Sequence, residues 1–312
     1  MTHRPGTTTA FVVALAITGL SLLGVGGAPI ASAKGNFPRI VRAANGAVRI
    51  LARPKRVVSL SPTATEMLFA VGAGAQVVAV DDQSNFPSKA PKTKLSGFQP
   101  NLEAIAGYKP DLVLVANDPK ELVAGLTKLK IPVLLLPSAV KLTDSYTQIQ
   151  AVGAATGHRG EATLVVSRMQ SRVAKIVASV PKRTAPLTYF HELDNTLYTV
   201  TSKTFIGSMY DLAGLRNIAD AADKDGSGYP QLNAEYVIAQ NPDLVFLADT
   251  KCCKQDAKAV ASRPGWDSLK SVKNGGVVAL DDDIASRWGP RVVDLLQAIV
   301  NATSKAPKAA AA

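Results

Sequence analysis

One stretch of this chain occurs twice. Asn101-Leu-Glu-Ala-Ile-Ala-Gly-Tyr-Lys-Pro-Asp-Leu-Val-Leu-Val-Ala116 returns as Asn233-Ala-Glu-Tyr-Val-Ile-Ala-Gln-Asn-Pro-Asp-Leu-Val-Phe-Leu-Ala248. The Asn, the Glu, the Pro-Asp-Leu-Val core and the final Ala coincide without a gap. Each copy reads as a short helix, a turn broken at Pro-Asp, and a buried strand. The offset far exceeds the few tens of residues that separate stacked solenoid units. The sequence therefore predicts two related lobes. Each lobe carries one glutamate, Glu103 or Glu235, at the same place on the same element. Matched acids on matched lobes suit docking onto a two-fold partner.

The chain opens as a targeting segment. His3 and Arg4 make a weakly basic start, Ala10 to Gly27 is apolar or small, and Ala31-Ser32-Ala33 fits a small-x-small cleavage site. Cleavage is expected after Ala33, which exports the protein to the periplasm or the outer face of the membrane. The competing reading, an uncleaved anchor, is disfavoured because the apolar run is short and broken by glycines. No later stretch is long and apolar enough to span a bilayer. The only cysteines, Cys252 and Cys253, are adjacent and far from the leader. That excludes lipid attachment at a cysteine after cleavage, and it excludes a disulfide framework. The fold must then rest on burial. The net charge is +11, or +10 without the leader (34 basic minus 24 acidic). The basic residues are scattered along the sequence and no nucleic-acid motif is present. The charge points to an anionic ligand or an anionic environment.

Residues 34–56 read as an N-terminal arm, where Ile40-Val41 and Ala47 to Ile50 flank the hairpin signal Asn45-Gly46. An α/β rhythm follows over 57–140. Its strands are Val57 to Leu60, Val77 to Val80, Leu112 to Val115 and Val133 to Leu136. Its helices run from Pro62 to about Val71, Asn101 to Gly107 and Pro119 to Leu129, with Glu66 expected to serve the helix start. Residues 141–182 read as two linker helices, Thr143 to Thr156 and a long one from Gly160 to Val180 with apolar residues at helical spacing. A second lobe covers 183–303. It begins with strand Leu187 to His191 and helix Phe205 to Ala213, and it ends with strand Val277 to Leu280 and a helix from about Pro290 to Asn301. Residues 304–312 read as a frayed tail. Strands alternating with helices predict parallel sheets covered on both faces.

Several segments taken in order resemble a known family. They are Arg56-Val-Val-Ser-Leu-Ser-Pro-Thr-Ala-Thr-Glu66, Gly97-Phe-Gln-Pro-Asn-Leu-Glu103, Lys109-Pro-Asp-Leu-Val113, Thr204-Phe-Ile206, Ala213-Gly-Leu-Arg-Asn-Ile218, Gly228-Tyr-Pro-Gln-Leu-Asn-Ala-Glu235 and Arg287-Trp-Gly-Pro-Arg291. Together they resemble the metal-chelate class of ABC-importer solute-binding proteins, which carry cobalamin, ferric siderophores or haem. The resemblance covers about residues 55 to 300. It implies two Rossmann-like lobes with parallel sheets joined by one long helix, a non-enzymatic monomer with no resident cofactor, and a chelate ligand held between the lobes. It further implies that Glu103 and Glu235 pair with arginines of a permease dimer. Phe98 and Tyr229 are implied as cleft aromatics, one from each lobe, with Phe86 as a third. Arg287, in a loop before the last helix, is placed to meet an anionic group of the ligand.

The chain departs from the cobalamin binders at two aromatic positions, having Gln83 and Ala116 instead. With the basic charge, this sets a ferric siderophore beside cobalamin as the expected ligand. Haem is the alternative within the class and needs an axial ligand, commonly His or Tyr. After the leader only His158, read as exposed, and His191, read as structural, remain. Two histidines cannot supply a bare zinc or manganese site. The Cys252-Cys253 loop leaves a secreted redox protein as the enzyme-class alternative. Neighbouring trans Cα atoms lie about 3.8 Å apart, short of the roughly 4.4–6.8 Å usual for a disulfide, so a Cys252–Cys253 disulfide would be strained, but such bonds occur and one is an open expectation here. The nearby Lys251, Lys254 and Lys258 would favour a thiolate.

Overall fold

The computed structural model describes residues 37–306. The expected leader and the last six residues of the expected tail lie outside the described residues. An antiparallel hairpin comes first, β1 (Arg39–Ala43) with β2 (Gly46–Ile50). The first lobe follows as β3 (Val57–Leu60), α1 (Pro62–Ala70), β4 (Val77–Val80), α2 (Leu102–Gly107), β5 (Leu112–Val115), α3 (Leu122–Lys128) and β6 (Val133–Leu135). Two helices connect the lobes, α4 (Leu142–Thr156) and the 20-residue α5 (Arg159–Ala178). The second lobe contains β7 (Thr188–Glu192), α6 (Phe205–Leu212), β8 (Arg216–Asn217), α7 (Ala234–Gln240), β9 (Leu244–Leu247), α8 (Ala257–Ala261), α9 (Lys270–Lys273), β10 (Val277–Ala279), α10 (Asp282–Ala285) and α11 (Val292–Lys305).

The sheets have one topology. The first is ordered β4-β3-β5-β6 and the second, read the same way, β8-β7-β9-β10. All pairings within them are parallel. The duplicated segment forms α2–β5 in one and α7–β9 in the other. Its corresponding residues have matching tasks. Asn101 and Asn233 are N-caps, their side chains accepting from Ala104 N at 2.9 Å and Tyr236 N at 2.7 Å. Lys109 and Asn241, each just before the Pro, are left-handed at φ 48° and 46°. Asp111 accepts from the backbone N–H of Lys55 and Arg56, and Asp243 from that of Thr188, so each carboxylate stitches the start of the neighbouring central strand to its own.

Alternation along the strands sorts the core. Leu112 and Leu114 of β5 enter the same cluster as Leu244 and Phe246 of β9, together with residues of α4, α5, α6 and α11. Val113 and Val115 face a separate first-lobe cluster, and Val245 and Leu247 a separate second-lobe cluster. Each sheet is thus buried on both faces, and one core is continuous through both lobes. Every fully buried Leu or Val in it stabilises by about 1.5–3 kcal/mol.

The structure corrects three local expectations. The helix expected from Pro119 begins at Leu122, because Lys120 and Glu121 are left-handed and Asp118 accepts from Val123 N. The last helix continues through Lys305, so Ser304 and Lys305 do not belong to a frayed tail. Glu66 lies beyond the first turn of α1, and its carboxylate, 2% exposed, accepts from Arg287 and Arg291.

Candidate functional site

In a doubly wound sheet, ligands bind beyond the carboxyl ends of the strands, where the strand order reverses. That switch lies between β3 and β5 in the first lobe and between β7 and β9 in the second. The loops after β4 and β8, the edge strands beside β3 and β7, carry Phe98 and Tyr229, two of the aromatic residues expected in the cleft. Phe98 is 73% exposed and Tyr229 47%, so neither is a core residue. Both sit in a Ser-Gly-aromatic turn, Ser96-Gly97-Phe98 and Ser227-Gly228-Tyr229. In each, the serine Oγ accepts from the aromatic residue's own N–H at 3.2 Å. The glycines are required by close approach. A Cβ at Gly97 would stand 2.7 Å from Leu60 O, and one at Gly228, whose φ is +81°, would stand 2.9 Å from Thr204 Cγ2. The internal duplication therefore extends upstream of Asn101 and Asn233, offset by one residue. That offset hides it from a gapless match, although the shared Ser-Gly-aromatic triplet was available to find it.

Tyr198 was missed by the sequence reading. It is 43% exposed and bridges to Gln231, two residues after Tyr229, which adds a second exposed ring to the second-lobe side. Phe86 is 43% exposed, with the Arg291 guanidinium 4.1 Å from its ring centroid.

Arg287 is not a free surface donor. Its side chain is 9% exposed, and all four of its terminal N–H positions are taken. Nη1 donates to Glu66 and Asn85, and Nη2 to the carbonyl of Gln83 and to Asp283. Glu66, Gln83 and Asn85 belong to the first lobe and Asp283 to the second, so Arg287 ties the lobes together. Arg291 adds a second fork onto Glu66, at 2.9 and 2.5 Å. Lys251 extends the network to Asp281 and Asp283, at 2.8 Å each.

The cysteine loop differs from its sequence reading. Cys252 and Cys253 are free thiols and not a disulfide. Lys251 is spent on aspartates, and the hydrogen bond with Cys253, followed by burial, pushes the Cys252 thiol up to about 12. The Cys252 thiol is therefore held protonated. His158 is also not exposed as expected. Its side chain is 13% exposed, 2.8 Å from Arg53 and 3.7 Å from Glu161. His191 is fully buried and its Nδ1 pairs with the Tyr210 hydroxyl at 2.7 Å; burial lowers its pKa to about 3. Among the described residues no group of three or more His, Cys, Asp or Glu could hold a bare metal ion. Glu103 and Glu235 are the second residues of α2 and α7, exposed and in none of the ion pairs among the described residues.

Known proteins are similar to this chain. An uncharacterized ABC transporter substrate-binding lipoprotein of Bacillus subtilis (strain 168) is 31% identical over 261 residues, covering 81% of each chain. A cobalamin-binding protein of Halobacterium salinarum is 32% identical over 270 residues, covering 83% of this chain and 72% of its own. Among solved structures, a possible iron-binding periplasmic solute-binding protein from Staphylococcus epidermidis superposes with a TM-score of 0.68 at 27% identity, over 80% of this chain and 99% of its own. The model of the family described as periplasmic binding protein matches residues 57–284. On the duplicated α/β lobes and on these matches, this chain belongs to the periplasmic binding protein family.

Proposed function

We propose that this protein is the exported solute-binding component of an ABC importer, capturing an iron-siderophore or cobalamin-type chelate between its lobes and delivering it to the permease. The observation that carries the reading is the duplicated turn and helix. It gives each lobe one exposed aromatic ring, Phe98 or Tyr229, and one exposed acid, Glu103 or Glu235. The rings supply flat apolar faces for a chelate. The acids suit a two-fold permease, where charge pairs set orientation and encounter rate more than affinity. Arg287 serves the cleft by fixing the relation between the lobes, and an anionic ligand group reaches it only by displacing one of its protein acceptors. Two relatives support the ligand class, since one is named a cobalamin-binding protein and another a possible iron-binding protein.

Haem is the weaker reading, because His191 is enclosed in the second-lobe core and His158 is tied to Arg53. An axial ligand would have to come from Tyr198 or Tyr229. A redox function has no support from the relatives, which are named as binding or transport proteins. A thermal-shift screen of ferric siderophores, cobalamin, cobinamide and haem tests the assignment. A bound ligand stabilises by RT ln(1 + [L]/Kd), about 2.7 kcal/mol at a hundredfold excess over Kd. No stabilisation by any of them would overturn it. Glu103→Ala with Glu235→Ala is expected to leave that shift intact while uptake into cells falls. Normal uptake by the double variant would remove the docking assignment.

A further inference from the structure

The β1–β2 hairpin takes no part in the cleft or in the proposed docking acids. It buries only one face. Val41 and Ile50 are 4% and 1% exposed and enter the core shared by the lobes. Ile40 and Arg49 stand opposite one another in the ladder. Side chains alternate along a strand, so Arg42 shares their outward face, and so does Leu51 just beyond β2. Ile40 is 70% exposed and Leu51 69%; among the large hydrophobic residues described, only Phe98 is more exposed.

The charge of this element is equally one-sided. Between Phe37 and Arg56 stand Arg39, Arg42, Arg49, Arg53, Lys55 and Arg56, with no acidic residue. Arg42 and Arg49 are exposed, and neither enters any of the ion pairs among the described residues. The hairpin itself is firmly seated. Asn45 at its turn donates to Val133 O and accepts from Leu135 N, closing part of the β6 edge, and Arg39 donates to Ala154 O.

A rigid face that presents two guanidinium groups beside two aliphatic side chains, with no acid in the hairpin and the one acid lining the pocket beside Arg42, Asp144, engaged in capping the backbone of Val140 and Lys141, complements an anionic bilayer. Guanidinium groups meet phosphate oxygens in fork geometry. The aliphatic side chains enter the boundary between headgroups and acyl chains. A wholly aqueous surface offers Ile40 and Leu51 nothing in return for their exposure. We propose that the outward face of the β1–β2 hairpin docks onto anionic phospholipid, holding the protein at the membrane surface. This does not depend on the ligand assigned to the cleft.

The test is flotation of the exported protein, as its cell processes it, with vesicles of phosphatidylcholine alone and with vesicles containing phosphatidylglycerol. The wild type is expected to float with the anionic vesicles and not with the neutral ones, and high salt should release it. Arg42→Gln with Arg49→Gln should lower the partition coefficient by about thirtyfold. Arg42→Lys with Arg49→Lys, which keeps the charge, should retain most of the binding. Ile40→Ser with Leu51→Ser should weaken binding without lowering the melting temperature, since both side chains are exposed. Absence of flotation overturns the proposal. So does equal flotation with neutral vesicles, or equal flotation of the wild type and the Arg→Gln variant, which would assign the binding to the leader.

Discussion

At the scale of single residues, exposure separates side chains that hold the fold from those free to meet a ligand. Phe190 and Phe246 are fully buried, whereas Phe98 and Tyr229 keep most or nearly half of their surface in water. Phe98→Ala and Tyr229→Ala should each weaken chelate binding by about 1–3 kcal/mol, the worth of an aromatic face withdrawn from water. The melting temperature should change little. Parallel titrations and melts of the two variants check this, and an equal loss of binding and stability would make them packing residues. Phe98 and Tyr229 were singled out in the sequence by the family resemblance, each standing just ahead of a duplicated helix, and the structure shows them exposed. Tyr198 was not, because its position depends on an isolated bridge to Gln231 that no local pattern announces. Glu66 was read as serving its own helix, since the arginines that claim it lie more than 200 residues away.

At the scale of elements, the ends of β7 and β9 bring two carboxylates together. Glu192 and Asp249 are both fully buried, and Arg263 forks onto Glu192 at 2.6 and 2.5 Å. No hydrogen-bond donor reaches either carboxylate oxygen of Asp249 among the described residues. One arginine cannot neutralise two buried carboxylates, so Asp249 is left without a compensating charge. Burial, and then the neighbouring Glu192, push the Asp249 carboxyl from 3.8 up to about 7. The folded state therefore binds a proton that the unfolded chain has already lost. The stability tied to that proton is complete below about pH 4, falls as pH rises towards 7, and is gone above it. Asp249→Asn should flatten this fall in denaturant titrations between pH 4 and 8. An unchanged slope in the variant would show that another group carries it. The segment following Asp249 holds Lys251, Cys252 and Cys253, and Asp282 accepts from the backbone N–H of Thr250, Lys251 and Cys252. The same element that carries the pair thus reaches the ionic network between the lobes.

For the whole molecule, one continuous core and one ionic clasp decide how the lobes sit. Glu66 of the first lobe meets Arg287 and Arg291 of the second, and all three side chains are largely withdrawn from water. Removing one partner of a buried ion pair leaves the other uncompensated, at a cost of about 3–5 kcal/mol. Glu66→Gln should lower the urea midpoint by a corresponding amount, still in a single transition because the core runs through both lobes. A second, separate transition would mean that the lobes unfold independently and that the clasp rather than the core unites them. An unchanged midpoint would mean that the clasp contributes nothing net.

The sequence by itself determined the two lobes, their parallel sheets, the long connecting helix and the matched positions of Glu103 and Glu235. Those features follow from local periodicity and from a duplication that can be read residue by residue. The partners of Arg287, the raised carboxyl of Asp249, the raised thiol of Cys252 and the outward basic face of the hairpin were decided only by the tertiary structure. Each depends on which charges meet, or fail to meet, across strand ends, loops and lobes far apart in the chain, and on how much water is excluded where they do. The basic residues that look scattered along the sequence illustrate the point. Two-residue alternation and a tight turn gather Arg42 and Arg49 beside Ile40 and Leu51 on one face, a juxtaposition that composition cannot express.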